Sequence, residues 1–130
     1  MLTPSPISKA MAIAEAAKFP TLTANGLDWY ALAGSKHCTK QDQRKDRKYL
    51  WSDTGLLQID YAIQFSKENR ISPDINSYGL KHVIERWSPT RGDHKYISNG
   101  CAILGLSIAG YEVVLIDNSP NCFFRWKEQR

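Results

Sequence analysis

Cysteine is scarce in this chain, and its spacing fits none of the common cysteine chemistries. Cys38, Cys101 and Cys122 are odd in number and no two of them form a CxxC pair. A closed disulfide framework and the common zinc modules are therefore not indicated, and a reduced, cytoplasmic setting is the simplest expectation. Three nucleotide and metal signatures are also missing: the G-x-x-x-x-G-K-S/T phosphate loop, the G-x-G-x-x-G fingerprint and H-E-x-x-H. Their absence removes the enzyme classes built on those motifs, and no cofactor or metal is expected. Long apolar runs are lacking too. The most apolar stretch runs from Cys101 to Tyr111 and is interrupted by Ser107, well short of the ~20 residues that cross a bilayer as a helix. The opening MLTPSP has no basic residue, so neither a secretory signal nor a membrane partner is expected. No internal repeat and no low-complexity tail is present.

What remains is ordinary globular material with one unusual segment. Hydrophobic residues make up 42% and charged residues 23% of 130 positions, which argues against general disorder and for a single compact domain over 1–130. Residues 36–48 read KHCTKQDQRKDRK, six Lys/Arg against two Asp, a local +4 that equals the net charge of the whole chain. The rest is electrically neutral. Clustered positive charge raises the local concentration of anions and speeds association, so this segment is expected to be exposed surface. It suits nucleic acid, a nucleoprotein complex or an acidic protein surface. Its candidate contacts are Lys40, Arg44, Lys45, Arg47 and Lys48, with Tyr49 and Trp51 beside them for stacking; Trp51 is expected to pack against the following helix instead.

Periodicity and punctuation predict a mainly α fold with a short C-terminal β-hairpin. Ser5-Pro6 opens a first helix in which Ile7, Ala10, Met11 and Ala14 recur at helical spacing until Pro20. Asn25-Gly26 marks a turn, with a helical turn expected before Gly34. Ser52 or Asp53 caps a strong helix whose stripe is Leu56, Ile59 and Ile63, broadened by Tyr61 and Phe65, with Gln58, Gln64 and Lys67 toward solvent. A further helix runs from near Ser77 to Trp87, ended by Ser88-Pro89. Leu80, Val83, Ile84 and Trp87 face its core side, and Lys81 and Glu85, four apart, are expected to form a weak surface pair. Ser98 or Asn99 caps a helix of small and apolar residues to Ala109, which should be the centre of the fold with Gly105 at a close crossing. Gly110 ends it in a left-handed conformation. Val113 to Ile116 reads as a strand and Cys122 to Trp126 as its partner. Cys101 and Cys122 are expected in the core.

Tyr78, Lys81, His82, Glu85 and Arg86 form the densest array of acid, base and anion-binding groups. His82 as base and Arg86 as phosphate holder define an alternative, a small hydrolase or transferase completed by Asp53 or His94. No local nucleophile or metal site supports it, so noncatalytic binding through the basic segment, with His82 and Arg86 as further contacts, is the leading expectation. The helices around 56–67 and 77–87 are consecutive, but their connection exceeds the roughly 3 to 4 residues of a helix-turn-helix. At SYGLKHVIERW, YISNGCAILGLSIAGY and SPNCFF, the chain resembles small proteins carried by phages and other mobile elements. The resemblance covers the C-terminal half. It implies an accessory role, interference with a host nucleic-acid defence complex of the kind anti-CRISPR proteins perform, and assigns no residue a role.

Overall fold

The computed structural model describes residues 7–34, 39–87 and 96–127. Ser5-Pro6, Lys36 to Cys38, Ser88-Pro89 and His94 lie outside the described residues. Each principal helix begins where a small polar side chain can take an orphan amide. Ser8 accepts from Met11 N to start α1 (Lys9–Ala16). Two two-residue strands, β1 (Leu22–Thr23) and β2 (Gly26–Leu27), pair antiparallel around a turn at Ala24-Asn25, one residue before the expected Asn25-Gly26, and α2 (Trp29–Ala33) follows. Thr39 and Asp42 form a reciprocal capping box at the head of α3 (Lys40–Lys48), which passes through a 3-10 turn at Tyr49–Trp51. Ser52 caps α4 (Asp53–Glu68), Asn76 caps α5 (Ser77–Arg86) and Ser98 caps α6 (Asn99–Ile108). Last come β3 (Tyr111–Leu115) and β4 (Cys122–Trp126), antiparallel, with Tyr111 opposite Trp126 and Leu115 opposite Cys122. The fold is mainly α with a C-terminal hairpin, as the sequence predicts. The hairpin begins two residues earlier than its β-branched run, because the Tyr111 and Trp126 rings pack edge to face at 4.9 Å and extend the ladder.

α6 is the centre. Every residue from Asn99 to Leu106 is buried, and the helix packs most extensively on α4, with α5, α1, β3 and β2 around the rest. The crossing with α4 is close because Gly105 has no side chain: a Cβ there would stand 2.8 Å from Ala62 Cβ and 2.8 Å from Ile59 O. At the other end, a Cβ on Gly100 would stand 2.0 Å from Thr23 O, and the Gly100 amide donates to Ala24 O at 3.0 Å. The head of α6 is thus seated directly on the β1–β2 turn. Cys101 and Cys122 are buried, and burial pushes both thiols up to about 12.

Three expectations fail for packing reasons. In α1 the buried stripe is Ala12 and Ala16, while Ala10 and Ala14 are exposed and Met11 is 46% exposed; two alanines four apart give α6 a flat face to approach, and Met11 turns outward. Gln58 does not lie toward solvent. It is buried, donating from Nε2 to the Tyr49 hydroxyl at 2.8 Å and accepting from Ser98 N at 2.9 Å. Lys81 and Glu85 are not a surface pair, since both are buried. Among the described residues no helix is long and apolar enough to cross a membrane.

The Gly105 crossing gives a graded expectation. Gly105→Ala gains helix propensity of about 1 kcal/mol in an open helix, but here its methyl meets backbone, so it should lower stability by roughly 1 kcal/mol and Gly105→Leu by about 3 kcal/mol. Urea unfolding followed by circular dichroism measures both; a neutral Gly105→Leu would mean that α6 is not held against α4.

Candidate functional site

The basic segment folds as α3, and the helix sorts its charges by side. At 100° per residue, Lys40, Arg44, Lys48 and Lys45 fall on one arc, and all four are exposed. The two carboxylates that would neutralise them point elsewhere and are occupied. Asp42 closes the capping box. Asp46 accepts from Asn25 Nδ2 at 3.1 Å and from the Tyr30 hydroxyl, while its carbonyl takes the Ala24 amide at 3.0 Å. The exposed arc of α3 therefore carries four cations and the neutral Gln41, with the exposed Asp42 beyond its edge.

Arg47 projects only about 20° from Lys40 on the same wheel, but its side chain is turned into the fold. Its guanidinium donates to Ala16 O at 3.0 Å, Phe19 O at 3.0 Å and Leu22 O at 2.8 Å, closing the last carbonyls of α1 and the segment after it. It also lies 5.8 Å from the centre of the Trp51 ring. Burial lowers its pKa from the ordinary value, yet an arginine stays cationic at neutral pH. Tyr49 is half-buried with its hydroxyl bonded to Gln58, and Trp51 is half-buried beneath Arg47. The sequence counts Arg47 among five equivalent cations because charge alone does not reveal which side of a helix is inward.

The second cluster sits on α5. Helical spacing puts Ser77, Lys81 and Glu85 on the buried side beside Leu80 and Ile84, and Glu85 becomes the acceptor around which the segment before α6 is arranged. Its Oε2 takes Lys81 Nζ at 2.9 Å and Ile97 N at 2.9 Å, and its Oε1 faces His82 Nδ1 at 2.9 Å. Burial alone would raise the Glu85 carboxyl; the Ile97 amide, Lys81 and His82 outweigh it and hold the carboxyl below its ordinary value. The carboxylate orients the imidazole through Nδ1. Lys81 Nζ lies 4.7 Å from the centre of the Tyr96 ring and 5.5 Å from that of Tyr78, whose edge meets His82 at 4.7 Å. Arg86 is exposed at the end of α5.

These groups border a surface cleft. One cavity of about 530 Å³ is lined by Tyr78, Lys81, His82, Glu85 and Tyr96. A second, of about 350 Å³, shares Tyr78, Lys81 and Tyr96 with it and reaches Trp29, Asn25 and Asn99. Tyr78 and Tyr96 are 52% and 64% exposed, with the Lys81 ammonium over one face of each ring. Burial raises the Tyr96 phenol above its ordinary value, Glu85 and other neighbours adding to it, so its hydroxyl stays protonated at neutral pH. Asn99 donates from Nδ2 to Asn121 Oδ1 at 2.8 Å, while its buried Oδ1 has no hydrogen-bond partner among the described residues. The sequence singles out His82 and its helix but not Trp29, Tyr96, Asn25 or Asn99 as site residues; these come from two separate stretches, 25–29 and 96–99, and no local spacing links them to α5. Among the described residues, Arg86 does not line the cleft, neither cavity lining holds Ser, Thr or Cys, and no group of three or more His, Cys, Asp and Glu could hold a metal.

Arg47 and Arg44 should separate by role. Arg47→Gln should cost about 2 to 3 kcal/mol in urea unfolding, the scale of lost charge-assisted hydrogen bonds, and Arg44→Gln close to nothing; equal values would deny the inward role. The Glu85 carboxyl is held low in the folded state, so its contribution is present above about 4.5 and is lost as pH falls through the folded value. Glu85→Gln should flatten that acid limb of the stability profile. At neutral pH it should also be less stable by about 3 to 5 kcal/mol, because Lys81 is left buried without its counter-charge. An unchanged acid limb in unfolding titrations would show that Glu85 is not the group responsible. No family model, curated protein or solved structure matches this chain.

Proposed function

We propose that this chain is a noncatalytic binding protein for nucleic acid or a nucleoprotein complex, and that α3 is its contact. The observation that carries the reading is the sorting of charge on that helix. Lys40, Arg44, Lys45 and Lys48 are exposed on one arc, while Asp42 and Asp46 are engaged in hydrogen bonds to their own chain. A backbone of phosphates meets such an arc without a repelling carboxylate, and each neutralised phosphate releases counterions. The resemblance to mobile-element proteins implies the setting, an accessory protein that acts on a host nucleic-acid defence complex. An acidic protein surface would satisfy the same charges and differs in its test.

The alternative of a small hydrolase or transferase draws on the His82–Glu85 contact, which has the geometry of a carboxylate-oriented base. Binding is preferred because the cleft lining lacks a Ser, Thr or Cys nucleophile among the described residues.

The test is a quadruple variant, Lys40→Gln, Arg44→Gln, Lys45→Gln and Lys48→Gln, that keeps Arg47. Fluorescence anisotropy with labelled DNA and RNA, single-stranded and duplex, should show binding by the parent that weakens about tenfold or more with added salt and with the variant, while thermal unfolding stays at the parent value. Parent protein that binds none of these at low salt, yet is retained by an acidic protein column in an α3-dependent way, would replace nucleic acid with an acidic protein.

A further inference from the structure

Resting on the reading of α3 as a nucleic-acid contact, we infer that the ligand is single-stranded and that the cleft between α2, α5 and the segment before α6 receives one of its unpaired bases, stacked on Tyr78 and Tyr96. Three observations lead there. The first is exposure: Trp29, Tyr78 and Tyr96 are all large aromatic side chains with accessible surface, drawn from three parts of the chain to one pair of joined cavities. Aromatic faces collected in this way stack planar rings.

The second is charge. An aromatic enclosure of this kind would otherwise suit a cationic ligand, but here Lys81 already places its ammonium 4.7 Å from the Tyr96 ring and 5.5 Å from that of Tyr78. A second cation finds Lys81 already over those rings. A free anion finds the same ammonium bonded to Glu85 at 2.9 Å. A neutral planar ring meets neither difficulty, and Asn25 and Asn99 line the same wall, their Nδ2 groups bonded to Asp46 and Asn121.

The third is continuity. Asn25 lines the cleft and also donates to Asp46 of α3 at 3.1 Å. Trp29 lines the cleft, while its neighbour Tyr30 donates to Asp46 and to Asp42 O. The rim of the cleft and the inner side of α3 are thus one bonded unit, which ties the position of the aromatic rings to that of the helix whose outer arc would carry the phosphates. A duplex keeps its bases stacked inside and has none to offer; a single strand does.

Tyr78→Ala and Tyr96→Ala, with Tyr96→Phe as the conservative partner, test this against the α3 quadruple variant. The probes are a labelled 12-residue single strand, in DNA and RNA form, the matching duplexes, and AMP as competitor. Each alanine variant should weaken single-strand binding roughly 5-fold to 100-fold, the range of one lost base stack, leave duplex binding within twofold, and leave thermal unfolding at the parent value, while Tyr96→Phe binds as the parent does. Single-strand binding lost in the α3 variant but untouched by both alanine variants overturns the cleft and preserves α3. Loss in the alanine variants alone preserves the cleft and overturns α3. Parent protein that binds no strand overturns both. Displacement of the strand by micromolar AMP would identify a free nucleotide as the occupant and overturn the strand. If an alanine variant also lowers thermal stability, Tyr96→Phe together with 2-aminopurine fluorescence at each strand position decides: quenching at one position supports stacking, and uniform fluorescence overturns it.

Discussion

One buried carboxylate organises this molecule. Glu85 carries its charge into the seam between α5 and the segment before α6, where desolvation opposes it, and it is tolerated because an ammonium, an imidazole and the Ile97 amide converge on it. The same segment is held again one residue later, when Ser98 N donates to buried Gln58 on α4. Two consecutive amides with no helical partner are thus taken by side chains of two different helices. With the backbone fixed there, Ser98 is positioned to cap α6, Asn99 to reach Asn121, and Tyr96 to stand over Lys81. The centre of the fold and the wall of the cleft share a single anchor.

Elements with local causes were legible in the sequence. Ser52 and Ser98 cap where capping chemistry predicts, the small-residue run is the buried helix, and Cys122 to Trp126 pairs as expected. The fate of long polar side chains was not. A Lys–Glu pair four apart is read as surface because such residues are rarely buried without partners, and the partner that permits burial, Ile97 N, lies on another segment. Gln58 escapes for the same reason. Arg47 escapes because its acceptors are carbonyls of Ala16, Phe19 and Leu22, which have no side-chain signature. In α1 the apolar pattern admits two registers, and close packing of alanine decides between them.

Charge sorting on α3 and the cleft arise from one device. Asp46 reaches away from the lysines to bind Asn25 and Tyr30, which removes a carboxylate from the outer face and at the same time stiffens the turn that borders the aromatic rings. Helix, turn and cleft rim are therefore connected through Asp46.

The seating of α6 on the β1–β2 turn also bears on how the chain acquires its shape. Gly100 lies against Thr23, Asn99 Nδ2 lies 3.4 Å from Asn25 O, and Ser107 donates to Glu15 at 2.6 Å. Each of these closures joins residues more than seventy positions apart, so the central helix matures only after the first and last thirds of the chain have met. Such contacts raise the entropy cost of the folding barrier and slow the reaction relative to a bundle of sequential hairpins. They also tie both ends into one cooperative unit, in which opening the turn at Thr23 and undocking α6 are the same event.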